Sequence, residues 1–280
     1  MPPSPGSVTQ TERARRFRAL HEREGAFIIP NPFDVGTARL LARFGFEALA
    51  TTSAGYAFTL GYKDGALTRE QALAGARAIA TATDLPVSAD LEKGFGDAPE
   101  TAAETIRLAA AAGVVGGSIE DATGRTDSPI YEIEHAAERI RAATEAARAL
   151  PFPFTFTARA ENYLHGRPDI HNTVKRLQAY QEAGADVLYA PGLTTKDDIA
   201  AVVSTVDRPV NVLMALPGIN LSLTELSALG VKRVSVGSGL CRAALGAFLR
   251  AAREMRDSGT FTFVAEAVSS ISELLSLIHI

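Results

Sequence analysis

The chain has 280 residues, of which 46% are hydrophobic and 21% are charged. These proportions are typical of a packed globular protein and exclude an intrinsically disordered chain or a disulfide scaffold. The formal charge of -4 leaves no excess of positive charge to bind a nucleic acid. The chain has one cysteine, no apolar stretch of ~18 residues and no apolar signal segment at its start, so we expect a cytosolic protein without a membrane partner.

Short apolar runs recur roughly every 20 to 40 residues, and each is followed by a turn and a helical stretch. The predicted strands are residues 26–30, 48–52, 86–90, 116–120, 154–159, 186–190, 210–214 and 233–237. Helix N-caps with an acid or amide three residues later are predicted at Thr68, Asp97, Thr195 and Ser222. Glycines suited to a left-handed helix C-terminus precede four of the strands: Gly45, Gly113, Gly184 and Gly230.

This repeated helix–glycine–strand unit favours a parallel sheet with helical crossovers. Eight strands within ~210 residues favour closure into a (β/α)8 TIM barrel of the α/β class. An open doubly wound sheet is the alternative. We expect one domain, residues 1–280, with an N-terminal helix at 11–24 before the barrel.

Two further helices, at 242–256 and 264–278, make up a predicted C-terminal helical extension spanning residues 242–280. Its second helix carries an apolar stripe that a complete barrel does not need: Val268, Ile271, Leu274, Leu275, Leu277 and Ile278. An exposed stripe of that size indicates a partner surface, so we expect a homo-oligomer built through this extension. The alternative is that the helix folds back on its own barrel.

Acidic residues cluster where strands two to four of the predicted barrel end, which is where TIM-barrel enzymes place their reactive groups. Asp90 and Glu92 are two residues apart and so point to one face, Glu120 ends the next strand, and Asp64 follows strand two. Taken singly, such acids are helix caps or solvated charges, as we expect for Asp34. Taken together, they predict a hard divalent cation, Mg²⁺ or Mn²⁺ rather than zinc.

Four other features are candidates for ligand binding. Arg159 ends strand five, where its planar fork can hold a carboxylate or phosphate, or merely balance the acids. The small residues Ser53, Ala54 and Gly55 can turn backbone N–H groups towards an anion. Asn211 is either a ligand-facing amide or a satisfied core amide, and a Gly-rich turn at 237–239 is either a phosphate site or a tight turn.

Cysteine and histidine often act in catalysis, but here neither residue type is expected to do so. Cys241 follows strand eight and is expected to be a small core residue rather than a catalytic acid. The five histidines show no metal-ligand spacing, and His165 is the one expected near the site.

The strand-end residues resemble the isocitrate lyase/phosphoenolpyruvate mutase superfamily over residues 27–244. The resemblance is carried, in chain order, by Thr52-Ser53-Ala54-Gly55, Asp64, Asp90-Leu91-Glu92-Lys93-Gly94-Phe95-Gly96, Ile119-Glu120-Asp121 and Ala158-Arg159. It implies a TIM barrel in which Asp90 binds Mg²⁺ and Asp64, Glu92 and Glu120 hold its waters. It further implies that residues 53–55 meet the carboxylate of a 2-oxo acid or its enolate.

The resemblance also implies that Arg159 clamps this ligand from the far side, and that a helix after strand eight is exchanged within a homodimer or homotetramer. One departure limits what can be carried over. The family's lyases have a Cys-containing gating loop after strand four and its mutases an Asn there, whereas this chain has Arg125, Thr126, Asp127 and Ser128 without either.

We therefore expect a Mg²⁺-dependent enzyme, with Arg159, Glu120 and Asp64 in catalysis, that cleaves a C–C bond of a small anionic 2-oxo or 2-hydroxy acid through an enolate. Three alternatives stay open. They are P–C bond chemistry on phosphoenolpyruvate or phosphonopyruvate, hydrolysis or decarboxylation of an oxaloacetate-like acid, and a non-catalytic 2-oxo acid binding protein.

Overall fold

The computed structural model describes residues 8–267 and 271–278. Eight parallel strands alternate with helices along the chain. The strands are β1 (Phe27–Ile29), β2 (Leu49–Ala50), β3 (Val87–Asp90), β4 (Gly116–Glu120), β5 (Thr155–Arg159), β6 (Val187–Tyr189), β7 (Val210–Leu213) and β8 (Arg233–Ser235). Each lies within a predicted run, so all eight predicted strands are confirmed.

The helices surround the strands and extend the chain at both ends. They are α1 (Gln10–Glu22), α2 (Val35–Arg43), α3 (Ser53–Thr59), α4 (Arg69–Thr81), α5 (Pro99–Ala111), α6 (Ile133–Arg148), α7 (Ile170–Glu182), α8 (Lys196–Thr205), α9 (Leu223–Ala228), α10 (Gly239–Ser258) and α11 (Ile271–Ile278).

The sheet order is β1-β8-β7-β6-β5-β4-β3-β2, which brings the first two strands to the seam. The Ala50 amide donates to the Pro30 carbonyl across this seam at 3.1 Å. Asn31 reinforces the seam, because its Nδ2 donates to the Thr51 carbonyl at 3.1 Å and its Oδ1 accepts the Val236 amide at 2.9 Å. The sheet therefore closes into the predicted TIM barrel, and the open-sheet alternative is wrong.

Three of the four predicted N-caps are observed, because the side chains of Thr68, Thr195 and Ser222 each accept a backbone N–H of the first helical turn. Asp97 is the exception. Ala98 is the N-cap of α5, with Pro99 in its first turn, and no side chain caps this helix. The Asp97 carboxylate instead binds the Tyr131 hydroxyl at 2.5 Å and the Lys93 ammonium at 2.9 Å. Asp97 thus binds Lys93 and Tyr131, which lie outside the helix, instead of capping α5.

All four predicted glycine joints have left-handed backbone, with φ of 82° at Gly45, 96° at Gly113, 98° at Gly184 and 85° at Gly230. A side chain would strain these positions, which explains the glycines.

Helix α1 covers the amino ends of the strands, an end of the barrel that we call the floor. Its Phe17 packs over Gly116, the first residue of β4, where an added Cβ would lie 2.8 Å from the Phe17 ring. Its His21 packs edge-on against Phe27, the first residue of β1. The predicted N-terminal helix therefore closes the floor, and the opposite end, which we call the mouth, is the open one.

The C-terminal extension differs from the predicted single helix at 264–278. A 3-10 turn (Thr262–Glu266) precedes α11, while part of the predicted apolar stripe, Val268, lies outside the described residues. Helix α11 packs on α2 of the same chain, and Arg39 donates to the Ile278 carbonyl at 3.4 Å. This contact agrees with the alternative in which the last helix folds back on its own barrel.

An exposed apolar surface lies on α10 instead. Of its side chains only Cys241 is buried, whereas Phe248 is 67% exposed. Leu245, also exposed, lies three residues before Phe248 and four before the exposed Leu249, so it neighbours both on the helix surface. Within the described residues, no helix has both the length and the apolar character needed to cross a membrane.

Candidate active site

A cavity of about 220 Å³ opens at the mouth and runs into the barrel interior. Its lining includes six of the predicted site residues, Ser53, Ala54, Asp64, Asp90, Arg159 and Asn211. The other three, Gly55, Glu92 and Glu120, lie close behind this lining. The structure therefore brings the predicted residues to one cavity, with all except Asn211 at its mouth and Asn211 deeper, beside Arg233.

Arg159 is the centre of the site and contacts three carboxylates. Its Nη1 donates to Asp90 Oδ1 at 2.8 Å, and its Nη2 donates to Glu161 Oε1 at 2.7 Å. Nη2 also lies 3.2 Å from Glu120 Oε2. The guanidinium side chain is 13% exposed, so the ion pairs are largely shielded from water. The fork that was expected to grip a ligand is held in place by the protein's own acids.

The carboxyl groups around Arg159 are crowded and partly desolvated. Burial raises the pKa of Glu120 well above its usual value, although Arg159 opposes this effect. Burial likewise raises the pKa of Glu161, again against the attraction of Arg159. One arginine does not neutralise this many acids, so the site retains a demand for positive charge.

Glu92 shows this demand most directly. Its Oε1 is buried without a hydrogen-bond partner, and its backbone has a φ of 47°, in the left-handed region that non-glycine residues avoid. Burial, with repulsion from Asp90 and Asp64, raises its pKa to about 7. A carboxylate oxygen in this position gains a partner when a cation binds.

The donor set fits Mg²⁺ that keeps several waters. Among residues 8–267 and 271–278, no three Asp, Glu, His or Cys side chains are arranged to hold a metal ion on their own. Asp64 is exposed at the rim of the cavity and Glu120 is paired with Arg159. The four predicted metal residues therefore do not form a closed cage. Mg²⁺ binds through one or two carboxylates and retains water ligands, which suits this arrangement.

The expected anion-binding turn at residues 53–55 is the first turn of α3. The Ser53 amide and hydroxyl both donate to Asp90 Oδ2, at 3.0 and 2.9 Å. The Gly55 amide donates to the N-cap hydroxyl of Thr52 at 3.2 Å. Two of the three N–H groups are thus engaged within the protein, and Ser53 orients the Asp90 carboxylate.

The segment after β4 is a short tied hairpin. An isolated bridge pairs Ala122 with Ile130, the Thr123 amide donates to the Pro129 carbonyl at 2.8 Å, and Arg125 pairs with Asp97 at 3.0 Å. Of the described residues that line the cavity, none comes from this hairpin. The hairpin therefore supplies no acid or base to the site.

Three residues of the site carry no signal that sequence reasoning used. Glu161 holds Arg159, and its backbone amide donates to buried Asp121 at 2.8 Å. Tyr189 lines the cavity with its ring 5.2 Å from the Arg159 guanidinium. Arg233 lies in the barrel interior at the floor end of the cavity. The spacing of Arg159 and Glu161, two residues apart at the end of strand five, could have pointed to Glu161, since alternate side chains of an extended segment share a face.

Arg139 of α6 is a fourth missed residue, and it fixes the backbone behind the acids. It is fully buried, and its guanidinium donates to the carbonyl oxygens of Lys93, Gly96 and Glu120. It thereby ties the loop after β3 to the end of β4.

The remaining predicted candidates lie apart from the chemistry or have plain roles. Asn211 is a satisfied amide that donates to Ser235 Oγ at 3.0 Å and accepts from Arg233 Nε at 2.8 Å, although it lines the cavity. Cys241 is buried, with its thiol 3.7 Å from the Gly55 carbonyl. His165 is exposed and does not line the cavity.

Known proteins resemble this chain over nearly its whole length. The family described as phosphoenolpyruvate phosphomutase matches residues 17–256. A structure from Burkholderia cenocepacia J2315, described only in general terms as a lyase/mutase, is 64% identical, with 97% of each chain covered and a TM-score of 0.94. A structure of phosphonopyruvate hydrolase with oxalate and Mg²⁺ is 28% identical, with a TM-score of 0.83 over 96% of this chain and 94% of the other.

Two relatives are named as a lyase and a decarboxylase. The probable 2-methylisocitrate lyase 2 of Corynebacterium glutamicum is 29% identical, over 98% of this chain and 90% of the relative. The oxaloacetate decarboxylase of Chromohalobacter salexigens is 31% identical, over 89% and 87%. The chain therefore belongs to the phosphoenolpyruvate mutase/isocitrate lyase superfamily and is an enzyme of its lyase and mutase type.

Proposed function

We propose that this enzyme uses Mg²⁺ to cleave the C3–C4 bond of a small 2-oxo acid, one carbon away from its C2 carbonyl, and that its reaction is the decarboxylation of a 3-carboxy-2-oxo acid of the oxaloacetate class. The observation that carries the proposal is the acid cluster at the mouth. Asp90 and Glu120 hold Arg159, and Glu92 keeps a buried oxygen without a partner.

Asp90 and Glu92, with Asp64 at the rim, would hold the cation, and Glu120 would hold one of its waters. The cation supplies a Lewis acid that stabilises negative charge on the carbonyl oxygen of the substrate. Arg159 adds a fixed positive charge to the same region, and its three carboxylate contacts restrict its movement. Positive charge held in place before the reaction lowers the barrier to forming an enolate.

The hairpin after β4 favours decarboxylation over cleavage of a hydroxy acid by the lyase route. In decarboxylation the C3–C4 bond breaks, its electron pair moves through C3 to the C2 oxygen as an enolate, and CO₂ leaves without needing a proton. The enolate then takes a proton at C3 from water. Since the tied hairpin offers no thiol or other acid to the cavity, a reaction that accepts its proton from water fits this site.

A substrate screen tests the proposal. Oxaloacetate, 2-hydroxy diacids and phosphonopyruvate are incubated with enzyme and Mg²⁺, while CO₂, pyruvate, glyoxylate and phosphate are followed. We expect CO₂ and pyruvate from oxaloacetate, and no release in excess chelator. Glyoxylate from a hydroxy diacid would assign the lyase route, and phosphate from phosphonopyruvate would assign P–C cleavage. Binding without turnover of any of these acids would reject all three reactions.

We also propose that the protein is a homodimer or homotetramer that buries the outer face of α10. The exposed cluster of Leu245, Phe248 and Leu249 supports this assembly, since α11 is already placed on its own barrel. Light scattering should show an oligomer that Phe248→Glu dissociates and that truncation after Gly259 leaves intact. A monomeric full-length protein would reject the assembly.

A cytosolic location is part of the same proposal. The single cysteine, Cys241, is buried and unpaired, which fits a reducing compartment.

A further inference from the structure

Tyr189 ends β6 and lines the cavity, with its side chain buried beside Arg159. Among the described residues of the lining, it is the only aromatic one. The lining on the side of β2 is made of small residues, as at Ala50, Ser53 and Ala54. A broad ring therefore faces small side chains across the mouth.

The strand order places Tyr189 opposite the turn at residues 53–55. Because eight strands close the barrel in the order β1-β8-β7-β6-β5-β4-β3-β2, β6 lies halfway round from β2. Residues 53–55 follow β2, and Asp90 ends the neighbouring β3. An acid whose carboxylate and carbonyl oxygen are held between this side and Arg159 therefore directs the rest of its chain towards β6.

The ring of Tyr189 is anchored at the mouth. Its centroid lies 5.2 Å from the Arg159 guanidinium, within the ~6 Å range of a cation–π contact. Arg159 is itself held by three carboxylates, so a shift of the ring would give up a contact with a fixed partner. Burial raises the pKa of Tyr189 to about 12, against the opposing effects of Arg159 and of a hydrogen bond with Ser235 on β8. The ring is therefore a neutral wall at pH 7.

The space that this wall leaves is small. The cavity of about 220 Å³ lies below the ~300 Å³ at which pockets for drug-sized ligands begin. Under the proposed function, Mg²⁺ and its waters would occupy part of this volume. A short acid fits the remainder, whereas each added carbon would press against the ring.

We propose that Tyr189 is a specificity-determining residue that limits the substrate to a 2-oxo acid of four carbons. The inference rests on the proposed function for the orientation of the acid and for its four-carbon class. Tyr189 thereby admits acids of the oxaloacetate class and excludes 2-oxo acids with a longer chain.

A series of four monocarboxylic 2-oxo acids tests the limit, because pyruvate, 2-oxobutyrate, 2-oxopentanoate and 2-oxohexanoate differ only in the length of an apolar tail. Their binding to the Mg²⁺-loaded protein is measured by calorimetry for the wild type and for Tyr189→Ala. In the wild type, affinity should fall by about 10-fold beyond 2-oxobutyrate, since further methylenes overpack the site. In Tyr189→Ala, affinity should rise by about fourfold per methylene through 2-oxohexanoate, since the tail fills the vacated space.

The matched control is Tyr189→Phe, which keeps the ring and removes only the hydroxyl, and which should show the chain-length preference of the wild type. A ring that only supports Arg159 would behave differently on removal, because all four acids would weaken by the same factor and the preferred length would stay unchanged. That outcome overturns the inference. A wild type that binds 2-oxohexanoate as tightly as 2-oxobutyrate overturns it as well.

The binding series and the decarboxylation assay fail independently. Because binding is measured without turnover, the expected shift in preferred length without CO₂ release from oxaloacetate would reject the reaction and keep the limit. Release of CO₂ with the same preferred length in the wild type and Tyr189→Ala would keep the reaction and reject the limit.

If Tyr189→Ala does not fold, a crystal structure of the wild type with Mg²⁺ and 2-oxobutyrate decides the question. A terminal methyl group within about 4.5 Å of the Tyr189 ring supports the limit. A methyl group that points away from the ring into open space overturns it.

Discussion

The two ends of the barrel are each organised around a buried arginine, and the two arginines respond in opposite ways. Burial acts to lower the pKa of Arg159, but Glu161, Glu120 and Asp90 outweigh it, and the pKa rises well above its usual value. The pKa of Arg233 falls to about 10, because burial outweighs the opposing effect of Tyr189. The acids of the mouth thus favour the charged form of Arg159, whereas among the described residues no acidic side chain forms an ion pair with Arg233 at the floor.

The largest expected effect comes from removing the acid that serves both the cation and Arg159. Asp90→Ala should abolish Mg²⁺ binding in calorimetry and lower turnover by at least about 1000-fold, because it removes the proposed metal carboxylate and the Ser53-oriented partner of Arg159. Asp84→Asn, an exposed acid away from the mouth, is the matched control and should behave as wild type. Full wild-type activity in excess chelator would contradict the role of the metal.

Glu120→Gln should be milder than Asp90→Ala. Under the proposed function it would hold a metal-bound water, and loss of such an outer contact costs about 10- to 100-fold in affinity or activity. Titration of activity with Mg²⁺ measures this loss, and an effect as large as that of Asp90→Ala would make Glu120 a direct ligand.

The arginine of the mouth depends on its shape as well as its charge. Arg159→Lys should lower kcat/KM by about 100-fold or more, nearly as far as Arg159→Ala, because a lysine cannot meet Asp90, Glu120 and Glu161 together. Steady-state kinetics of both variants make the comparison. A lysine variant that recovers most of the activity would reduce Arg159 to a charge balancer.

His21, at the floor of the barrel, should make the stability of the protein depend on pH. Burial, followed by the charge of Arg233, lowers the pKa of His21 from 6.5 to about 3. Between these values the unfolded chain binds a proton that the folded chain does not, so the free energy of unfolding falls as the pH falls below 6.5. The contribution is about 1.4 kcal/mol per pH unit and should be absent from His21→Gln.

Urea unfolding of the wild type and His21→Gln at pH 7, 6 and 5 measures this difference. Parallel pH profiles for the two proteins would show that His21 titrates normally in the folded state.

The smallest effect is expected at the thiol. Cys241→Ser should keep activity within about twofold, since the thiol is buried against the Gly55 carbonyl and does not line the cavity. Complete loss of activity with an unchanged circular dichroism spectrum would place this thiol in the mechanism.

Local signals predict the mouth well. The strand ends, the acids that follow them and the Asp34 cap of α2 depend on short spacing, which the sequence displays directly. The cap predicted at Asp97 fails because Tyr131, 34 residues away, provides a better partner. The floor escapes prediction for the same reason. The contacts of Arg233 with His21 and Thr157 join segments that are distant in the sequence, so they form only when the barrel folds.

The left-handed backbone at Glu92 sets stability and activity against each other. Backbone held in this region costs on the order of 1 kcal/mol in a residue with a side chain, and glycine removes that cost. Selection for thermal resistance alone would therefore be expected to replace Glu92 with glycine, and so to yield a sturdier barrel with weaker metal binding. If variants are selected for both heat resistance and activity and they keep Glu92, activity requires its carboxylate despite the cost in stability.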